Sequence, residues 1–119
     1  APDASGTEVL PDDAVAYRVL VVDDEPALVG FLCEWLECEG HVGIPFTDAT
    51  RALAWASGAD ARFDLLLTDQ TMPGMTGLEL ARSLRAARPT LPVVLCTGLA
   101  DRVNEAEARA LGIERLWLK

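Results

Sequence analysis

At 119 residues the chain has the length of one domain, and its 50 % hydrophobic and 24 % charged content suits a packed core, excluding a disordered or fibrous chain. Nineteen acids against ten bases give a net charge of −9, a field that repels both nucleic-acid phosphates and anionic membrane surfaces. No nucleic-acid partner and no direct membrane contact are therefore expected. No apolar run is long enough to span a bilayer and no basic-then-apolar segment opens the chain, so the cytoplasm is the expected compartment.

Residues 1–16 hold two prolines, four acids and no base, and read as a linker or flexible tail. The remaining fifteen acids and ten bases leave −5 on the folded unit, residues 17–119. Cys33, Cys38 and Cys96 form no C-x-x-C pair and have no histidine placed to join them. Neither zinc nor a disulfide framework is indicated, and the thiols are expected to be buried as small hydrophobes.

From Tyr17 onward the pattern alternates. Arg18-Val19-Leu20-Val21-Val22 is a β-branched run without polar alternation, suited to a strand buried on both faces of a parallel sheet. It runs into Asp23-Asp24-Glu25, and Pro26 then fits the first turn of a helix. Leu28, Phe31, Leu32, Trp35 and Leu36 fall on one helical stripe, which Gly40 stops. Residues 42–46 predict a second strand. Thr47 or Asp48 can cap a helix through about Ser57, with Leu53 and Ala56 facing inward.

The third strand, residues 64–68, ends at Asp69 and meets a loop with a Pro73-Gly74 turn signal. Thr76-Gly77-Leu78-Glu79 matches a capping box and opens a helix carrying Leu80, Ala81 and Leu84. A fourth strand spans residues 91–96 and is followed by Thr97-Gly98. A polar helix around residues 101–110 then leads to a last strand, residues 115–118, and Lys119. Five strands alternating with four helices predict a doubly wound α/β sheet with right-handed crossovers.

In such a sheet, ligands bind beyond the carboxyl ends of the strands, where strand order reverses. Asp23 and Asp24, Asp69, Thr97 and Lys119 end strands one, three, four and five, so three carboxylates, a hydroxyl and an ammonium meet on one rim. Any one of these alone is an ordinary cap, turn or solvated charge; their joint placement is what carries information. Clustered carboxylates need a counter-charge, and Mg²⁺, a hard cation, takes oxygen ligands and shares its shell with phosphate and water. A carboxylate nucleophile beside a divalent cation and an ammonium suits phosphoryl transfer.

Three segments, Val21-Val22-Asp23-Asp24-Glu25-Pro26, the stretch Leu66-Leu67-Thr68-Asp69-Gln70-Thr71-Met72-Pro73-Gly74-Met75-Thr76-Gly77, and Val94-Leu95-Cys96-Thr97-Gly98, resemble the response-regulator receiver domain of two-component signalling. The resemblance runs from about Tyr17 to Lys119. It implies a flavodoxin-like five-stranded parallel sheet of order 2-1-3-4-5. It makes Asp69 the phosphoacceptor and gives Mg²⁺ to Asp23, Asp24, Asp69 and the backbone carbonyl of Thr71. Thr97 becomes the switch hydroxyl and Lys119 the phosphate-pairing lysine. The implied partner is a histidine kinase or histidine phosphotransfer protein, with homodimerisation left open. Modest self-phosphorylation and dephosphorylation activity is also implied. The Asp69 loop is similar to receivers fused behind sensor histidine kinases, a placement the acidic residues 1–16 fit.

Two features depart from the family pattern. Leu116 stands where receivers carry an aromatic three residues before the lysine, with Trp117 beside it. The family's lysine is normally followed by proline and a fifth helix, whereas the sequence ends at Lys119; a protein without that helix would expose the apolar sheet face beside the first helix.

Two other functions compete. A Mg²⁺-dependent phosphatase or phosphotransferase of haloacid-dehalogenase type would carry a second Asp where Thr71 stands and a cap domain for which there is no room. A pseudo-receiver used only for docking would have lost an acid or the lysine. The remaining residues read plainly: His41 as a solvated turn, Trp35 and Trp55 as core, Met72 and Met75 as candidates for a partner surface. No P-loop is present.

Overall fold

The computed structural model describes residues 16–97 and 115–118, with side chains described as far as Cys96. Strand β1 (Arg18–Val22) is followed by α1 (Pro26–Cys38), β2 (Val42–Phe46), α2 (Ala49–Ala56), β3 (Leu65–Asp69), α3 (Gly77–Ala87), β4 (Val93–Thr97) and β5 (Arg115–Leu118). The strands form one parallel sheet in the order β2-β1-β3-β4-β5, the order that the resemblance to receiver domains implies. The predicted tail, the helix around residues 101–110 and Lys119 lie outside the described residues.

Each face of the sheet has its own core. Alternation along β1 sends Leu20 and Val22 to one side and Val19 and Val21 to the other, and all four are buried. The first side joins Leu66, Val93 and Leu95 to Ala49, Ala52 and Ala56 of α2 and to Leu80, Ala81 and Leu84 of α3. The small alanine face of α2 lets that helix lie close to the sheet. On the second side Val19, Val21, Leu67 and Cys96 pack under Val29, Leu32 and Leu36 of α1, while Leu65 and Val94 on the same side are half-buried.

Helix α1 sits differently from the expectation. Phe31 and Trp35 are 62 % and 51 % exposed, although the sequence places both on the inward stripe with Trp35 in the core. Val29, Leu32 and Leu36 face the sheet instead. At about 100° per residue, Phe31 and Trp35 lie roughly a quarter-turn or more from the centre of that stripe. The close approach of α1 to β2 favours this rotation: a Cβ on Gly43 would lie 2.6 Å from Cys33 Sγ.

The thiols also divide. Cys96 is buried and Cys33 half-buried, but Cys38 in the last turn of α1 is exposed, against the expectation. Burial, with the Glu37 charge as a second cause, pushes the Cys33 thiol up from its ordinary range. A maleimide pulse at neutral pH followed by peptide mass mapping should therefore label Cys38 well before Cys33. Equal labelling of the two would contradict the placement of α1.

At the sheet edge, the N–H of Val42 donates to Tyr17 O, so β2 turns the N–H groups of Val42, Ile44 and Phe46 inward and positions 43 and 45 outward. Pro45 thus occupies a place where no ladder bond is lost. His41 is tied more closely than a solvated turn: its Nδ1 accepts the N–H of Tyr17 at 3.0 Å, with the two rings 5.5 Å apart. Trp55 is half-buried between Phe46 and Phe63, at centroid distances of 5.8 Å to each, in keeping with its expected core role.

Candidate functional site: an acidic rim at the ends of β1 and β3

The parallel register builds the site. Val22 of β1 stands opposite Thr68 of β3, so the next residues along the two strands, Asp23 and Asp69, emerge side by side at the carboxyl edge. Both are only 3 % exposed, whereas Asp24 is open to solvent. One carboxylate oxygen from each of Asp23, Asp24 and Asp69 lies within 4.8 Å of the others. The sequence predicts this convergence, and the structure brings these three together.

Local bonds hold the acids in place. The N–H of Asp23 donates to Phe46 O at 3.2 Å across the β1–β2 pair, and Asp23 Oδ1 accepts the N–H of Glu25 at 2.9 Å. That turn delivers the chain to Pro26 at the start of α1. Thr68, itself buried, donates its hydroxyl to Asp69 O at 3.0 Å.

The loop from Asp69 to α3 is pinned at both ends. Gly74 takes φ +85°, which suits the glycine of the predicted Pro-Gly turn. Met72 is buried in the core and Met75 packs against it, so they anchor the loop; the expectation of a methionine partner surface is not met at Met72. The predicted capping box is present: Glu79 N–H donates to Thr76 Oγ1 at 3.1 Å and Thr76 N–H donates to Glu79 Oε1 at 2.9 Å.

Gln70 belongs to the site although no motif in the sequence singles it out. Its N–H donates to Cys96 O on β4, its carbonyl accepts the N–H of Gly77, and its side-chain Oε1 accepts the N–H of Leu78 at 2.9 Å. Gly77 does more than complete the capping box. A Cβ there would run into Asp69 O and lie 2.7 Å from Leu95 Cδ1, so the first turn of α3 rests directly on the Asp69 backbone. The legible signal is a glycine at the first helical position after a strand-loop connection, where a close approach is one of few reasons for it.

Of the other expected site residues, Thr97 is placed by its backbone alone, opposite Leu118 of β5, and Thr71 lies two residues past Asp69 on the exposed side of the loop. The Thr97 hydroxyl and Lys119 lie outside what is described.

The donor set fits a hard divalent cation. Two buried carboxylates this close repel by on the order of 3 kcal/mol at an effective dielectric of about 20, and three oxygen anions open to solvent through Asp24 are the ligand chemistry Mg²⁺ favours.

A family model described as the response regulator receiver domain matches residues 19–119. The chain belongs to that family. Receiver structures share its fold. One from Clostridium thermocellum superposes with a TM-score of 0.80 at 26 % identity, covering 88 % of this chain and 82 % of that one. The chemotaxis protein CheY4 of Vibrio cholerae gives 0.78 at 28 %, covering 88 % of both. The response regulator TrrA of Thermotoga maritima, in complex with Mg²⁺ and BeF, gives 0.74 at 31 % identity, covering 87 % of this chain and 86 % of that one.

Among curated proteins, this receiver is 37 % identical over 92 residues to the DNA-binding response regulator MtrA of Mycolicibacterium smegmatis, which takes in 77 % of this chain and 39 % of MtrA. It is 36 % identical over 96 residues to a protein-glutamate methylesterase/protein-glutamine glutaminase of Caulobacter vibrioides, taking in 81 % of this chain and 27 % of that protein. The receiver thus spans well under half of each relative's length. Among the described residues no helix is long and apolar enough to cross a membrane.

Proposed function

We propose that this receiver accepts a phosphoryl group on Asp69 from the phosphohistidine of a histidine kinase or histidine phosphotransfer protein, and that it works in the cytoplasm as a signalling module, in keeping with a fusion behind a sensor kinase. The observation that carries the reading is the convergence of Asp23, Asp24 and Asp69 within 4.8 Å at the carboxyl edge of the sheet.

In this reaction an Asp69 carboxylate oxygen attacks phosphorus in line with the phosphorus–nitrogen bond. That bond breaks, its electron pair stays on the imidazole nitrogen, and the nitrogen takes up a proton from solvent. Asp69 is suited to the role because the strand end fixes its backbone, and a fixed nucleophile has already lost the rotational freedom an approach would cost. Asp23, Asp24, Asp69 and the Thr71 carbonyl would hold Mg²⁺. Bound there, it would offset the charge of the rim and of the incoming phosphoryl oxygens. Thr97 and Lys119 take the family's roles, the hydroxyl donating to a phosphoryl oxygen and the ammonium pairing with another.

Incubation with acetyl phosphate and Mg²⁺ should add one acid-labile phosphoryl group by intact mass, and chelation of the metal should prevent it. No adduct on the folded protein would refute the reading. Metal binding has its own test. Asp24 is exposed, so Asp24→Ala opens no cavity, and its effect on stability should stay within about 0.5 kcal/mol. Its Kd for Mg²⁺, read by tryptophan fluorescence, should rise by about tenfold or more, since even groups behind the ligands act on that scale. Equal affinity in the variant would remove Asp24 from the ligand set.

A further inference from the structure

We propose that Gln70 is a positioning residue, a three-point clamp that sets the path of the chain from Asp69 to Thr71; this rests on the phosphoacceptor reading of the rim. The first four N–H groups of α3 are filled by two residues only. Gly77 and Leu78 donate to the backbone and side-chain oxygens of Gln70, and Glu79 and Leu80 donate to the side-chain and backbone oxygens of Thr76. Both residues cap the helix, but they differ in what lies beside them.

Thr76 caps from within its own turn, closing bonds between near neighbours in sequence. Gln70 caps from seven and eight residues away, across the whole loop, while its N–H is held by Cys96 O of β4. Its backbone N–H, backbone carbonyl and side-chain amide are therefore fixed to two different elements. The peptide units on either side join it to Asp69 and to Thr71, the proposed nucleophile and the proposed carbonyl ligand. A residue bound at three points leaves those units little room to rotate. Loss of the side-chain arm frees one of the three constraints and leaves the Leu78 N–H, a part-buried group, without its acceptor.

The test separates a clamp from a cap. Gln70→Met keeps the length of the side chain and removes the acceptor. Amide exchange in Gln70→Met should speed up at Leu78 and also at Gln70, Thr71 and Met72, without metal present. Its Kd for Mg²⁺ should rise by about tenfold, as for other groups that orient ligands from behind. Gln70→Glu, which restores an acceptor, should return slow exchange to Leu78 and to the loop. Thr76→Ala removes the neighbouring cap; it should lower Tm yet change the Mg²⁺ Kd by no more than about twofold, as expected for a site outside the clamp.

If Gln70→Met does not fold, Gln70→Asn, whose amide is one methylene short of Leu78, takes its place with the same expectations. Faster exchange confined to Leu78, with residues 70–72 unchanged, would reduce Gln70 to a helix cap and overturn the proposal. So would loss of Mg²⁺ affinity of equal size in Thr76→Ala. A wild-type protein that binds no Mg²⁺ would instead refute the reading of the rim, and the metal-free exchange at residues 70–72 would still decide whether the clamp exists.

Discussion

Asp69→Asn should lower the rate of phosphoryl incorporation from acetyl phosphate by at least about a hundredfold, the scale on which loss of a nucleophile acts. The substitution is close to isosteric, so the end of β3 keeps its packing, but a neutral amide replaces the attacking carboxylate. It also removes one of two charges that are 3 % exposed and within 4.8 Å of each other. The repulsion between them then disappears, and Tm in metal-free buffer should hold or rise. Intact mass after incubation with Mg²⁺ and donor reads the first effect, and a melting curve reads the second. An adduct of undiminished yield would place the nucleophile elsewhere, with exposed Asp24 the first residue to examine.

Gly77→Ala should be among the most damaging single-methyl changes in the domain. The added carbon would collide with Asp69 O and stand 2.7 Å from Leu95 Cδ1. Leu95 has some freedom to adjust; the Asp69 carbonyl has little, because β3 is bonded to strands on both sides. Overpacking of this kind costs about 1–3 kcal/mol, against which alanine returns up to about 1 kcal/mol of helix propensity. A net loss of about 2 kcal/mol corresponds to a fall in Tm of roughly 10 °C for a domain of this size. Gly30 supplies the matched comparison: it lies inside α1, and a methyl group added there would meet nothing within 4 Å, so Gly30→Ala should raise Tm by a few degrees. Opposite signs for the two glycines would confirm the close approach of α3 to Asp69. A harmless Gly77→Ala would show that the helix can retreat, and Asp69 would then owe its position to β3 alone.

Much of the fold and the rim is legible in the sequence for a physical reason. Strands buried on both faces read as unbroken apolar runs, and polar residues can follow them only where the sheet meets solvent. Val19–Val22 before Asp23, and Leu65–Leu67 before Thr68 and Asp69, therefore announce both the sheet and its rim. Helix α1 is less transparent. Leu28, Val29, Phe31, Leu32, Cys33, Trp35 and Leu36 are apolar over more than half the circumference, and periodicity alone cannot say which part meets the sheet. The tight contact of Cys33 with Gly43 belongs to the packing and leaves no mark in the pattern. Gln70 is hidden for another reason: a side chain that bonds a backbone N–H eight residues on has no periodic signature. Cys38 and Met72 show two further limits: residue type alone assigns the thiol inward, and a place in the loop beside Asp69 suggests a surface role for a thioether that packing buries.

Pro45 bears on how copies of this domain meet one another. β2 borders the sheet, and a free border strand is a template on which a stray segment can add itself and begin aggregation. Such an addition needs a row of outward N–H donors. Along β2 the outward positions are 43 and 45, and proline has no N–H to offer, so Gly43 is the lone backbone donor facing out over five residues. A newcomer would find one donor of the expected pair and a rigid ring in place of the other. The flank beside β1 is thereby protected from strand recruitment by a single residue that costs the sheet no internal bond.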